Sequence, residues 1–277
     1  MAFGIPYLGS KSIYATKILE ALPSGSRLVD LFAGGCAITD CAMRRFDGKW
    51  RVFVANDINP KPLELYEKAL KGEPFDYSWV TREEFEASND FETRLVWSFG
   101  NNTIDYIYGR DIEPIKHDLE EWIVNGVILH HSDIFERIKP PSLNTMEERK
   151  RWCKSFKFKN CVLSDTDMID RWPRLERLQR LEGLQRLELM NVSYQDYKYQ
   201  TGDIVYCDIP YYKTRCDQYD CEFSHKAFIE WARAQDFDVY VSERHFQDFR
   251  DIYKTFVVQN RLCKVSNGYK TEVLLKL

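Results

Sequence analysis

Apolar positions recur at helical spacing over residues 12–22, SIYATKILEAL, and stop at Pro23-Ser24-Gly25. The period then shortens. Arg27-Leu-Val-Asp-Leu-Phe is a short apolar run ending in Ala33-Gly34-Gly35, and it predicts a buried strand. Residues 36–46 predict a helix, and RVFVAN at 51–56 predicts a second strand running into Asp57. Asn59-Pro60 opens a further helix, KPLELYEKAL, closed by Gly72. Strand, glycine turn, helix, strand, acid, helix is the opening of a doubly wound α/β sheet. Later apolar runs, LELMNVSY, DIVYCD, FDVYVSE, TFVVQNR and EVLLKL, predict its remaining strands.

Between these halves the alternation is lost. Residues 73–121 are strongly acidic, whereas 137–160 are basic, with Trp152, Phe156 and Phe158 set among the bases. Residues 1–72 and 160–277 therefore read as one α/β domain, and 73–159 as an insertion. Within 174–189, RLERLQ-RLEGLQ-RLEL places leucine at every third position, which predicts a scaffold helix with a slanted apolar stripe.

The length of 277 residues suffices for one large domain carrying an insertion. A net charge of −4 gives no general affinity for nucleic acid, so any such surface must be local. The chain has no apolar run long enough to span a bilayer and no signal-peptide pattern, so a cytoplasmic protein is expected. Its eight cysteines contain no C-x-x-C pair, and Cys216, Cys221 and His225 lack a fourth ligand. Free thiols and no metal are expected.

The Asp30–Gly35 turn, through Phe32, Gly34 and Gly35, lets backbone approach a ligand at the carboxyl end of the first strand. Asp57, at the end of the second, can hold the two hydroxyls of a ribose; it can equally be a solvated strand end. Together they suggest an adenosine-containing cofactor, though G-x-G-x-x-G is missing. Upstream, Pro6-Tyr-Leu-Gly-Ser-Lys11 can present amides and an ammonium to an anion, or simply start a helix. In Asp208-Ile-Pro-Tyr211, Pro210 disfavours the α region for Ile209 and holds its carbonyl extended. That carbonyl and the Asp208 carboxylate can converge on one amino group, with Tyr211 as a stacking face. A plain β-turn is the alternative.

Tyr-x-Gly-x-Lys, Asp-x-Phe-x-Gly-Gly, Asn-Asp-x-Asn and Asp-x-Pro-Tyr, in that order, resemble the Dam-type family of DNA adenine-N6 methyltransferases. The resemblance implies a Rossmann-like methyltransferase sheet, S-adenosylmethionine as cofactor and adenine in double-stranded DNA as acceptor. It implies that 73–159 is the target-recognition subdomain. Carried over, Tyr7, Gly9 and Lys11 meet the methionine part of the cofactor, the Asp30–Gly35 turn runs beneath it, and Asp57 binds its ribose. Asp196-Tyr197 falls where the family contacts the adenine of the cofactor. Asp208, Ile209, Pro210 and Tyr211 form the catalytic loop, with Asp208 also bordering the cofactor. Ser98–Asn102, SFGNN, resembles a polar loop of phage-type members, and Ser242-Glu243 closes a later strand beside the site. Two positions depart from the family: Ile209 replaces a proline and Cys36 a third glycine.

The reaction so implied transfers a methyl group in line to adenine N6, with positioning supplying much of the acceleration. No histidine base is needed, so His117, His130, His131, His225 and His245 are expected to have no catalytic role. Adenine N6 is shielded inside a duplex, so the base must be flipped, and stacking on Tyr211 repays part of the cost. Arg137, Lys139, Arg149, Lys150, Arg151, Lys154 and Lys157 are the candidate phosphate contacts, and Tyr106, Tyr108 and Arg110 could reach bases. Methylation of RNA adenine or protein glutamine, and a decayed DNA-binding relative, are the rival readings.

Overall fold

The computed structural model describes residues 2–76, 78–155, 175, 177–180, 184–211, 223–244, 254–262 and 269–277, with backbone alone at 179–180, 244, 254–262 and 269–273. The apolar runs form β1 (Arg27–Asp30), β2 (Val52–Asn56), β3 (Leu187–Met190), β4 (Asp203–Cys207), β5 (Val239–Arg244), β6 (Lys254–Leu262) and β7 (Tyr269–Lys276). Among the described residues they join in one seven-stranded sheet, ordered β3-β2-β1-β4-β5-β7-β6. β1 pairs in parallel with β2 and with β4, while β7 runs antiparallel to β5 and β6. The fold is thus the expected mixed α/β, Rossmann-like sheet.

The strand order reverses between β1 and β4, and open α/β sheets take their ligands outside the carboxyl ends of strands at such a point. Asp30 is level with Tyr206 across that pair. Asp208, two residues further on, therefore stands just beyond the sheet edge.

The central strands are buried on both faces, as parallel strands require. Val29, Leu31, Val54, Val205, Cys207 and Val241 form one apolar cluster with Phe228 and Ala232. Residues of the opposite parity, Leu28, Phe53 and Tyr206, are equally buried. Three helices follow the sequence pattern closely: α1 (Ala15–Ala21), α2 (Ala37–Arg45) and α3 (Pro60–Leu70). Asn59 caps α3 by accepting from the Lys61 amide at 3.1 Å, and Pro60 occupies its first turn, where no amide is needed.

Residues 174–189 depart from the expected single helix. Short 3₁₀ turns occupy Arg177–Arg180 and Leu184–Arg186, and β3 begins at Leu187. A leucine period of three matches the three residues per turn of a 3₁₀ helix better than 3.6, and Gly183 interrupts the run.

The chain divides into two compact units, Met1–Glu73 with Arg177–Leu277, and Pro74–Glu176. The second is helical, with α4 (Arg82–Ala87), α5 (Phe91–Val96), α6 (Glu113–Asn125), α7 (Ile134–Ile138) and α8 (Met146–Ser155). Its core joins Leu119, Trp122 and Ile123 of α6 to Ile134, Phe135 and Ile138 of α7 and Cys153 of α8. A separate stack runs Tyr108, Trp79, His117 and His131, with neighbouring rings 5.7, 4.3 and 4.7 Å apart. The last helix, α9 (His225–Arg233), belongs to the first unit, is capped by Ser224 and carries Phe228 into the sheet core.

Candidate active site

Three carboxyl groups stand at the carboxyl ends of adjacent parallel strands: Asp30 on β1, Asp57 after β2 and Asp208 after β4. Asp30 is only 1% exposed. Its Oδ2 accepts from the Thr39 hydroxyl at 3.1 Å, and its Oδ1 has no hydrogen-bond partner. Burial, with Asp208 and Asp57 adding repulsion, pushes its pKa up to about 8. Asp57 is held by two amides, Gly34 N–H to Oδ2 at 2.8 Å and Asn59 N–H to Oδ1 at 2.9 Å. Burial raises its pKa, and those amides oppose the rise.

The glycine turn is shaped by what lies on it. A Cβ at Gly35 would come within 2.6 Å of the Tyr7 Cβ, and one at Gly34 within 3.1 Å of the Tyr7 ring. Tyr7 therefore covers the turn, which only glycine permits. The segment that brings it there is anchored by Ile5 N–H donating to the Gly35 carbonyl at 2.9 Å and Gly4 N–H to Asp40 at 2.9 Å. Cys36, the departure from glycine, adopts a left-handed conformation at φ 58° and is fully buried. Non-glycine residues pay about 1–2 kcal/mol there, which explains the glycine that the family pattern expects.

Gly9, itself at φ 75°, turns the chain into Lys11. Lys11 is 6% exposed and its Nζ meets Asp208 Oδ1 at 2.6 Å, lying 4.5 Å from the centre of the Tyr211 ring. Lys11, which the sequence reading assigns to the cofactor, thus lies against the Asp208–Tyr211 turn. Burial raises the Asp208 pKa, and the Lys11 charge opposes this. Ile209 is buried in the main core cluster, so an isoleucine replaces the proline by sending its side chain into the sheet core. The Pro210 carbonyl is 2.6 Å from His225 Nε2.

Asp196 and Tyr197 are not brought to this corner. Asp196 is exposed, and the Tyr197 hydroxyl donates to Asp203 Oδ2 at 2.7 Å and accepts from Arg27 at 2.6 Å. Arg27 and Asp203 begin β1 and β4, at the opposite end of the sheet. Tyr194, three residues earlier, occupies the site side instead, with its ring 5.5 Å from Phe32. Phe223 and Phe228 complete this aromatic nest at 5.7 and 5.8 Å from Phe32. Asn56 was also missed as an anchor: its Nδ2 donates to the Leu31 and Val192 carbonyls, both at 3.0 Å, tying β1 to the loop after β3. Ser242 is a core residue, 2.6 Å from the Tyr206 hydroxyl, and Glu243 is buried.

The basic stretch is not all surface. Arg149 donates to the carbonyls of Ile123, Val124 and Leu143 at 2.9, 3.3 and 3.2 Å and is buried. It satisfies the last carbonyls of α6, so it caps a helix and does not face phosphate. Arg137, Lys139, Arg151 and Lys154 are exposed, Lys150 is half-buried, and Lys157 lies outside the described residues. Tyr106 and Tyr108 are buried, with the Tyr106 hydroxyl on the Val80 carbonyl at 2.7 Å and that of Tyr108 on Glu120. Only Arg110 of that trio is exposed.

The SFGNN loop has a defined form. Ser98 bridges Tyr106, and Phe99 N–H donates to the Asp105 carbonyl at 2.7 Å. Gly100, Asn101 and Thr103 all have φ near +60°. The Ser98 hydroxyl accepts from Thr103 N–H, and Asn101 Nδ2 donates to the Leu95 carbonyl. The tip presents Phe99, 68% exposed, and Ile104, 54% exposed.

Of the histidines, His117 and His131 lie in the aromatic stack, His130 is exposed, and His245 falls outside the described residues. Among the described residues no cluster of metal ligands occurs, and no helix is long and apolar enough to cross a membrane. The described cysteines, 36, 41, 153 and 207, are buried.

No curated protein matches the sequence. Two solved structures of the rRNA methyltransferase aviRa from Streptomyces viridochromogenes are similar in fold, at 15% and 14% identity and TM-scores of 0.39 and 0.38. They cover 100% and 97% of this chain and 88% and 85% of their own. Residues 7–108, which hold Tyr7, Lys11, the glycine turn, Asp57 and the SFGNN loop, match the family model of the D12 class N6 adenine-specific DNA methyltransferases.

Proposed function

We propose that the protein is a site-specific DNA adenine-N6 methyltransferase that uses S-adenosylmethionine on a flipped adenine in duplex DNA. The observation that carries this reading is the convergence of Lys11, Asp208 and Tyr211 at the strand-order reversal that also holds Asp30 and Asp57.

The donor set suits this cofactor. Three carboxyl groups favour a ligand with an ammonium and a sulfonium, and the unpartnered Asp30 Oδ1 lacks only a donor. Asp30 would face the cationic end, Asp57 the ribose, and the Phe32–Tyr194 nest an aromatic ring. The bound cofactor supplies a methyl group on a positively charged sulfur, which leaves with the bonding electron pair.

The remaining work falls to this chain. Lys11 occupies one Asp208 oxygen, leaving Oδ2 for an N6 hydrogen, and its charge favours the ionised acceptor. The Ile209 carbonyl takes the second hydrogen. These two bonds draw the amine out of conjugation, so that its lone pair forms the new N–C bond and the displaced proton passes to solvent. Tyr211 stacks on the extruded base, a contact worth about 1–3 kcal/mol.

For DNA, exposed Arg137, Lys139, Arg151 and Lys154, with Lys150, would meet phosphates and position the duplex. Phe99 and Ile104, on a hairpin held by its own hydrogen bonds, form an apolar wedge of the kind that opens base steps. The unit Pro74–Glu176 would thus recognise the target while the sheet unit carries out the transfer.

Purified protein with methyl-labelled S-adenosylmethionine and unmethylated duplex DNA is expected to label the DNA. Asp208→Ala should abolish the signal and His130→Ala should keep it. Label in RNA or protein alone overturns the DNA assignment.

A further inference from the structure

We infer that His225 is a positioning residue that fixes the Asp208–Tyr211 turn through the carbonyl of Pro210. This rests on the reading of that turn as the methyl-transfer loop. No sequence pattern places a histidine there, because His225 lies fourteen residues beyond Tyr211.

The contact is short and chemically one-sided. His225 Nε2 lies 2.6 Å from the Pro210 oxygen. A carbonyl oxygen can only accept, so Nε2 must carry the hydrogen. Among the neutral forms only the Nε2–H tautomer can make this bond, so the contact selects that tautomer and suits a structural pin.

The pin is mounted on a rigid support. His225 is the first residue of α9, whose Ser224 cap accepts from Ala227 N–H at 3.2 Å. One turn on, Phe228 is fully buried in the sheet core. The imidazole meets the Phe223 ring edge-on at 5.0 Å, and Phe223 in turn contacts Phe32 at 5.7 Å. A continuous line of contacts thus runs from the glycine turn through Phe32, Phe223 and His225 to the loop.

What this line controls is the direction of neighbouring groups. Pro210 sets only its own φ; the orientation of the peptide plane after it is free to vary. Holding that plane's oxygen fixes where Tyr211 departs, and hence its stacking face beside Lys11. It also steadies the Ile209 carbonyl one peptide earlier. Misplacement of about 1 Å in such a site can cost about 100-fold in rate.

His225→Leu, which removes the donor, is expected to lower kcat by about 10–100-fold with little change in the KM for S-adenosylmethionine. His225→Gln, whose amide nitrogen reaches the Nε2 position, should recover to within about threefold of the native rate. Melting temperature and binding of S-adenosylhomocysteine monitor the fold. If His225→Leu does not fold, His225→Asn, one methylene too short, replaces it and should show the same loss. A donorless variant with native kcat, or a Gln variant as impaired as Leu, overturns the proposal. A second arm needs no turnover. Histidine ¹⁵N NMR of the cofactor-free protein should show His225 protonated at Nε2 at pH 8, and the Nδ1–H tautomer refutes the pin. If no DNA is methylated, the substrate reading fails while the NMR arm still decides the pin.

Discussion

At the scale of single residues, the site is governed by how burial and charge set three carboxyl groups. Lys11 opposes the desolvation of Asp208, which must be ionised to accept an amine hydrogen twice as effectively as a neutral acid. Removing the cation raises the Asp208 pKa, so the acid limb of kcat should move to higher pH in Lys11→Met, with activity at pH 7 reduced about tenfold or more. A pH–rate profile unchanged by Lys11→Met contradicts that role. Asp30 works in the opposite sense. Its folded pKa of about 8 lies above the usual value, so it is protonated at neutral pH without ligand. The native state keeps a proton that the unfolded chain releases near pH 4, so Asp30 costs stability progressively as pH rises toward 8. A cationic ligand prefers the ionised form. Affinity for S-adenosylmethionine should therefore rise up to about tenfold per pH unit below pH 8 and level off above it. Asp30→Asn should flatten that slope, as calorimetry across pH 6–9 will show. Ile209 and Cys36 are accommodated differently: one sends its side chain to the core, the other accepts a left-handed backbone.

At the scale of elements, sequence periodicity found β1 to β7 and α1 to α3 because each is a short apolar run between glycine, proline or asparagine signals. It failed where two structures share one pattern. The leucine triplet repeat reads as a stripe on an α-helix but folds as 3₁₀ turns and a strand. Arg149 reads as one more base in a basic run, yet its neighbours at helical spacing, Cys153 and Met146, face inward, and so does it. The sequence points to Tyr197 and leaves Tyr194 unmarked, because local sequence does not say on which end of a sheet a loop residue lands. His225 could not be found at all without the tertiary approach of α9 to the loop. These assignments separate experimentally. Arg149→Ala should destabilise the protein by about 1.5–3 kcal/mol, since it strands two carbonyls at the end of α6 and the Leu143 carbonyl before α8. Arg151→Ala should leave stability within about 0.5 kcal/mol but weaken duplex binding and lower its salt slope by about one. Phe99→Ala should weaken duplex binding without altering S-adenosylhomocysteine affinity; equal loss of both would show that the hairpin serves the fold. Denaturant melts and salt-dependent fluorescence anisotropy resolve these outcomes.

At the scale of the whole molecule, a net charge of −4 opposes approach to DNA, so attraction must come from a confined patch. The helical unit Pro74–Glu176 is itself acidic, with 14 bases against 20 acids, so its exposed Arg137, Lys139, Arg151 and Lys154 are the local exception. In the proposed reading those bases meet phosphate, while the carboxyl corner of the sheet unit holds the cationic cofactor. Nucleoside mass spectrometry gives the most direct test of that division. Unmethylated duplex DNA treated with the protein and S-adenosylmethionine should yield N6-methyldeoxyadenosine on digestion, and Asp208→Ala should yield none. Methylation confined to cytosine, or an equal yield of the adenine product from Asp208→Ala, would contradict it.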